Sequence, residues 1–180
     1  MTEFPELIVH AGFGKTGSTS IQFALKKNSD VLSDAKVAYL GLMLETLPEA
    51  QAFDWCQEGQ PDRFFSRPDR QATAQELYDA MLTGLKRLHQ EGYTRAIWSN
   101  ESFLNRAEIM IPLLQKLQAA GVDLRILAYV RRYDKGAISA YGQFALKGKH
   151  YTVPIRSFAD WQATKDLSRG VRLEKWAAAF

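Results

Sequence analysis

The sequence has few of the residues from which metal centres and disulfide frameworks are built. Of its 180 residues, one is cysteine (Cys56) and three are histidine (His10, His89 and His150). One cysteine cannot form an internal disulfide, so nothing in the sequence points to an oxidising compartment. The histidines are too dispersed for a zinc motif. We therefore predict no bound metal and a structural role for Cys56.

Long apolar runs and signal-peptide features are also missing. Residues 1–6 are short and acidic, and no apolar run approaches the ~20 residues that a membrane-spanning helix needs. We expect a cytoplasmic protein without a membrane span, folded as one domain over residues 1–180. The net charge of +3 suits an anionic ligand. No run of basic residues interleaved with aromatic ones predicts nucleic-acid binding.

The most informative stretch lies between residues 7 and 22. Residues 6–11 predict a buried strand, residues 18–28 predict a helix, and the loop between them holds three glycines, Lys15 and several hydroxyl groups. Loop N–H groups and a helix N-terminus together favour an anion, to which Lys15 adds charge and Ser18 and Thr19 add donors. We interpret the stretch as a phosphate or sulfate site. The alternative is a surface turn before a helix cap.

Strands and helices alternate along the rest of the sequence. We predict strands at 6–11, 36–42, 95–99 and 123–130, and helices at 18–28, 73–90, 106–120, 133–147, 158–167 and 173–180. Residues 48–69 predict a functional loop or short helices. The alternation predicts an α/β domain of three layers, with a mostly parallel sheet flanked by helices. In such sheets, ligands bind at the carboxyl ends of the strands.

Two arginines follow the predicted strand 123–130. Arg131 would end that strand, and Ser139 lies eight residues later, about two turns into the next helix. Arginine in this position can bind a phosphate through two N–H groups. The alternative is that Arg131 and Arg132 are solvated or pair with Asp134, while Ser139 is a small packing residue.

A carboxylate, Glu101, follows the predicted strand 95–99. It would reach the same crevice and act as a general base if partial burial raises its pKa. Alternatively, Glu101 caps the next helix or forms a structural ion pair with Lys15 or Arg131. Ser99 is a further candidate contact to a bound phosphate.

Three other residues are weaker candidates for the base. His10 lies within the first strand, where we expect a satisfied core histidine or one that supports the site residues from behind rather than the base. Asp54 and Glu58 lie in the aromatic segment 53–65, which would cover an acceptor. Its aromatic rings would stack on a sugar or an apolar acceptor, or else belong to the core.

The order Lys15-Thr16-Gly17-Ser18-Thr19 resembles the 5′-phosphosulfate loop of PAPS-dependent sulfotransferases. It does not match the nucleotide loop G-x-x-x-x-G-K-[ST], because Val9 stands where the first glycine would be. Arg131, Ser139 and Tyr141 match the spacing of the 3′-phosphate segment of the same family. The resemblance is closest to the bacterial, carbohydrate-type branch, whose first strand often reads Ile-Val-His-x-Gly-x-x-Lys-Thr-Gly.

This resemblance implies a P-loop NTPase-like sulfotransferase fold. The implied reaction transfers a sulfonyl group from PAPS (3′-phosphoadenosine-5′-phosphosulfate) to a hydroxyl of a carbohydrate or small-molecule acceptor and leaves PAP. Lys15 and Glu101 are the implied catalytic residues. The implied donor-binding residues are Gly14, Lys15, Thr16, Gly17, Ser18, Thr19, Arg131 and Ser139.

The family usually continues with a further strand and a glycine-rich cofactor segment, so the resemblance also implies that 1–180 lacks the C-terminal part. Two other functions stay open from the sequence. A nucleoside or small-molecule kinase would use the same loop with Mg²⁺, and an inactive module would bind a nucleotide or sulfate without turnover.

Overall fold

Four strands, all parallel, form one sheet with helices around it in the computed structural model, which describes residues 3–57, 62–147, 154–164 and 169–180. The strands are β1 (Glu6–Gly12), β2 (Val37–Tyr39), β3 (Arg95–Asn100) and β4 (Leu124–Tyr129), in the order β2-β3-β1-β4. The predicted α/β class with a parallel sheet is confirmed. β1 lies between β3 and β4, so its carboxyl end has a strand end on either side.

Eight helices lie within the described residues. They are α1 (Ser18–Lys27), α2 (Ser29–Asp34), α3 (Asp62–Phe65), α4 (Arg70–Gln90), α5 (Ala107–Ala119), α6 (Tyr133–Tyr141), α7 (Phe158–Ala163) and α8 (Arg169–Ala179). Residues 142–147 extend α6 as a π-helix. The sequence did not predict α2, and the predicted helix 158–167 ends earlier, at Ala163, with 165–167 outside the described residues. Among these helices, none has the length and apolarity needed to cross a membrane.

The core lies on one face of the sheet. Leu7, Val9 and Ala11 of β1 point to it together with Ala96 and Trp98 of β3, and all five are fully buried. Long helix α4 contributes leucines and Met81 at helical spacing to the same buried cluster. Helix α4 begins three residues before the predicted start, because the carboxylate of its N-cap accepts a hydrogen bond from the N–H of Ala72.

The aromatic segment 53–65 belongs largely to the core. Trp55 is fully buried, its Nε1 donates to Glu76 at 2.8 Å, and its ring meets Phe64 edge-on at 5.6 Å between centroids. Phe65 is also buried. The described part of this segment forms short helical turns, including α3, as one of the two predicted alternatives had it. These rings are therefore unavailable as an open platform for an acceptor.

Strand β4 differs from its prediction. The run 123–130 predicted a buried strand, but Arg125 is exposed and Leu127 and Tyr129 are each 45% exposed. The prediction of burial is wrong because β4 is the last strand in the sheet order, and the described helices leave much of it uncovered. An apolar run identifies a strand but not its place in the sheet.

Replacing Leu85 by alanine tests the core under α4. Leu85 is fully buried, so Leu85→Ala should lower the free energy of unfolding by about 2–5 kcal/mol. The neighbouring Lys86→Ala is the matched control, since its exposed ion pair with Glu3 is worth at most about 1 kcal/mol. Urea unfolding measures the stability of both variants. An equally small loss of unfolding free energy in Leu85→Ala and Lys86→Ala would contradict the burial of Leu85 in the core.

Candidate functional site

The loop from β1 to α1 needs glycine at two points. A Cβ at Gly12 would lie 2.6 Å from Ser18 Oγ, so a side chain at position 12 would displace the Ser18 hydroxyl. Gly17 caps α1 with φ +93°, the left-handed region that glycine adopts without strain. At Gly14, neither a near neighbour nor a positive φ requires glycine. The glycines at 12 and 17 therefore set the path of the loop.

Lys15 occupies a strained position at the centre of this loop. Its φ is +72°, which is uncommon for a residue with a side chain and is frequent at ligand sites. Arg131 Nη1 donates a hydrogen bond to the Lys15 carbonyl at 3.2 Å, across 116 residues of sequence. Lys15 Nζ lies 5.8 Å from the ring centroid of Phe144. The segment after β4 thus holds the loop in place.

The loop keeps donors available. Among the described residues, no acceptor receives the backbone N–H groups of residues 14–19. Thr16 Oγ1 donates to the Phe13 carbonyl at 2.7 Å and lies 3.3 Å from the buried Ser18 Oγ, while Thr19 is exposed. Unpaired N–H groups at a helix N-terminus beside a lysine suit an oxyanion.

Buried polar side chains lie on the two strands beside the loop. His10 is 2% exposed, and its Nδ1 is 2.7 Å from Ser99 Oγ. Its ring meets Tyr129 edge-on at 5.1 Å, and its Nε2 has no hydrogen-bond partner among the described residues. Burial lowers the pKa of His10, which favours the neutral ring. His10 is thus a core histidine as predicted, but only one of its nitrogens is paired.

At the end of β3, Asn100 rather than Glu101 organises the turn. Asn100 Oδ1 accepts from the Ser102 N–H at 2.8 Å, and its Nδ2 donates to the Leu42 carbonyl at 3.1 Å. Glu101 is half-buried, and its side chain makes no hydrogen bond or ion pair with any described residue. Neither structural role considered for Glu101 is therefore seen. The sequence reasoning missed Asn100, although Asn two residues before a turn N–H is a known turn signal.

Glu101 nevertheless lies beside the loop. Ala11 of β1 pairs in register with Asn100 of β3, so Gly12 and Glu101 follow at neighbouring strand ends. The two weaker candidates for a base do not join this site: Asp54 pairs with Arg67, and Glu58 lies outside the described residues.

The two arginines after β4 have different partners. Arg132 binds Asp134 through two hydrogen bonds of 2.7 and 2.5 Å, which lowers the pKa of that carboxyl to about 2. Arg131 instead reaches the loop. The pairing with Asp134 that the sequence allowed is therefore seen for Arg132, and phosphate binding by Arg131 stays a prediction.

Ser139 and Tyr141 are the other two residues of the predicted 3′-phosphate segment. Among the described residues, neither side chain forms a hydrogen bond with the loop. Ser139 is half-buried on α6, and its side chain has no hydrogen-bond partner among the described residues. Tyr141 donates to the Arg156 carbonyl at 2.6 Å and packs against Phe158 and Trp161 of α7. Tyr141 thus fixes α6 against α7.

Comparisons with protein families and with curated protein sequences found no relative of this chain. No protein-family model matches the chain, and no curated protein sequence matches it. A functional assignment consequently depends on the arrangement of residues described above.

The buried, neutral His10 predicts a pH dependence of stability. In the unfolded chain, His10 binds a proton near its ordinary pKa of 6.5, whereas burial opposes protonation of His10 in the folded protein. The free energy of unfolding should therefore fall as the pH drops below about 6.5. His10→Gln should reduce the slope of the unfolding free energy against pH in this range, by at most about 1.4 kcal/mol per pH unit. Urea unfolding between about pH 5 and 8 measures it. The exposed His89→Gln is the control, and an unaltered profile in His10→Gln would contradict the interpretation.

Proposed function

We propose that this protein is a PAPS-dependent sulfotransferase with a P-loop NTPase-like sulfotransferase fold, which transfers a sulfonyl group to a hydroxyl of a carbohydrate or small-molecule acceptor. The observation that carries the proposal is the hydrogen bond from Arg131 to the Lys15 carbonyl. It joins two segments that each resemble an anion-binding segment of that family. A donor with a 5′-phosphosulfate and a 3′-phosphate needs two such segments side by side.

The residues present fit a doubly anionic donor. Lys15 and the N–H groups of residues 14–19, which have no acceptor among the described residues, would bind the 5′-phosphosulfate, to which Ser18 and Thr19 would add hydroxyl donors. Arg131 would bind the 3′-phosphate together with the Ser139 hydroxyl, which has no partner in the described part of the chain. The bound donor supplies an activated sulfonyl group. Arg132 is not needed for this role, because Asp134 already neutralises it.

Charge stabilisation and proton removal are the two tasks left to the protein. Lys15 and the loop N–H groups would stabilise negative charge on the transferring group and on the oxygen that leaves. Removing one donor of this kind typically costs about 10²–10³ in rate. Glu101, at the adjoining strand end and without a structural partner among the described residues, would accept the proton of the attacking hydroxyl.

Binding of PAP, measured by isothermal titration calorimetry, tests the donor site. Arg131→Ala and Lys15→Ala should each weaken PAP about 10- to 100-fold, since a hydrogen bond to a charged group is worth about 1.5–3 kcal/mol. Arg132→Ala is the matched control, because its guanidinium is bound to Asp134. Binding of ATP with Mg²⁺ but not of PAP would favour the kinase alternative and overturn the proposal.

Turnover by Glu101→Gln tests the base. Without a carboxylate to accept the proton, PAP formation from PAPS in the presence of acceptor hydroxyls should fall about 10²–10⁴-fold, with PAP affinity unchanged. Glu108→Gln, an exposed position on α5, should behave as wild type. If Glu101→Gln retains full turnover, Glu101 is not the base. If the wild-type chain binds PAP but forms no product with any acceptor, the inactive-module alternative holds instead.

A further inference from the structure

Two adjoining cavities form a groove between α1, the segment after β2 and the end of α4. The first has a volume of about 290 Å³ and the second of about 560 Å³. Lys26, Tyr39 and Thr46 line both, so the cavities adjoin. We call them together the β2 groove. Its size is that of a site for a small organic ligand rather than for a single ion.

The β2 groove begins beside the proposed donor site. Thr19 and Gln22, on the first turns of α1, line its first cavity, and Gln22 Nε2 lies 3.4 Å from the Ser99 carbonyl of β3. The opposite wall contains Leu42, whose carbonyl accepts from both Trp98 Nε1 at 3.0 Å and Asn100 Nδ2 at 3.1 Å. Hydrogen bonds therefore connect both walls of the groove to the end of β3, directly before Glu101.

The wall after β2 is held in an unusual backbone conformation. Leu44 is fully buried and has φ +65°, and Gly41 has φ +84°. A Cβ at Gly41 would collide with the Glu45 carboxylate, which accepts a hydrogen bond from the Met43 N–H at 2.8 Å. Strained positions that the surroundings enforce are concentrated at binding sites.

The lining chemistry favours an uncharged, hydroxyl-rich ligand. Among the described lining residues, two are basic and three acidic, so the groove has no excess of positive charge to attract a polyanion. One of the two bases, Arg87, is already bound by Glu49 and Glu91. Burial and the charge of Glu45 raise the pKa of Tyr39 to about 12, which keeps its hydroxyl neutral.

An exposed aromatic ring lines the first cavity, where hydroxyl and amide groups lie beside apolar surface. Phe23 lines the first cavity and is 68% exposed, which is unusual for a phenylalanine on a helix. Sugars present an apolar C–H face and a rim of hydroxyls, and a free ring next to hydroxyl and amide groups matches both. The combined volume of the two adjoining cavities leaves room for more than one sugar unit.

We propose that the β2 groove binds an uncharged oligosaccharide as the acceptor of sulfonyl transfer. This proposal rests on the function proposed above for the donor, but binding to the groove requires only the groove itself. Phe23 contacts the sugar that lies nearest the donor loop, and Thr46 marks the passage to the second cavity.

Saturation-transfer NMR and calorimetry with defined sugars test the groove. The probes are cellotetraose and chitotetraose, their disaccharides, and a chondroitin tetrasaccharide as the polyanionic counterpart. At least one uncharged tetrasaccharide should bind at least 10-fold more tightly than the chondroitin probe. Phe23→Ala should weaken it about 10-fold, whereas Val31→Ala, an equally exposed apolar position outside the lining, should not.

A second variant tests the continuity of the cavities. Thr46→Phe should narrow the passage, so that tetrasaccharide binding is lost while disaccharide binding stays within about 3-fold of wild type; circular dichroism checks that each variant is folded. Equal loss of both sugars in a folded Thr46→Phe variant would overturn the two-cavity arrangement. So would unchanged binding of the tetrasaccharide.

The experiments distinguish a failure of the donor proposal from a failure of the acceptor proposal. Sugar binding that Phe23→Ala weakens, without any PAP binding, would support the groove and overturn the donor assignment. PAP binding without binding of any uncharged probe, or with tighter binding of the chondroitin probe, would overturn the groove proposal and leave the donor assignment intact.

Discussion

The close approach of α1 to the central strand governs the geometry of the whole site. Position 12 has no side chain, and the Ser18 hydroxyl occupies the space that a Cβ there would need. In the loop between them, Lys15 has a left-handed conformation. The Lys15 carbonyl accepts a hydrogen bond from Arg131, which connects the segment after β4 to the loop. The loop thereby joins the end of β1 to a residue 116 positions later in the sequence.

Polarity is distributed unevenly within the interior. The buried core under α4 is almost wholly apolar, whereas four of the five buried polar residues in the described part of the chain, His10, Ser18, Ser99 and Asn100, lie at or near the carboxyl ends of β1 and β3. Burying polar groups costs free energy unless they are hydrogen-bonded. Most of these side chains have hydrogen-bond partners, whereas His10 Nε2 has none among the described residues, so the uncompensated cost at this edge falls on the His10 ring.

Sequence patterns predicted the elements of this fold better than their surroundings. The strand, loop and helix around Lys15 and the long helix α4 follow from periodicity and capping residues, which are local in sequence. The exposure of Leu127 and Tyr129 depends on the order of strands, which periodicity does not encode. The difference between Arg131 and Arg132 could not be predicted either, because it depends on a carbonyl 116 residues away. The left-handed Leu44 and the groove beside it have no signature in the sequence at all.

The unpaired edge of β4 has a consequence for association between copies of this protein. Within the part of the chain that the structure describes, β4 pairs only with β1, so one row of its backbone groups has no strand beside it. An open apolar strand is a template for any extended chain, including another copy. Arg125 is the only charged residue in β4, and the Glu6 carboxylate holds it at 2.6 Å. Arg125 is thus the one charged side chain that β4 itself carries, and charged side chains on an edge strand disfavour pairing with another chain.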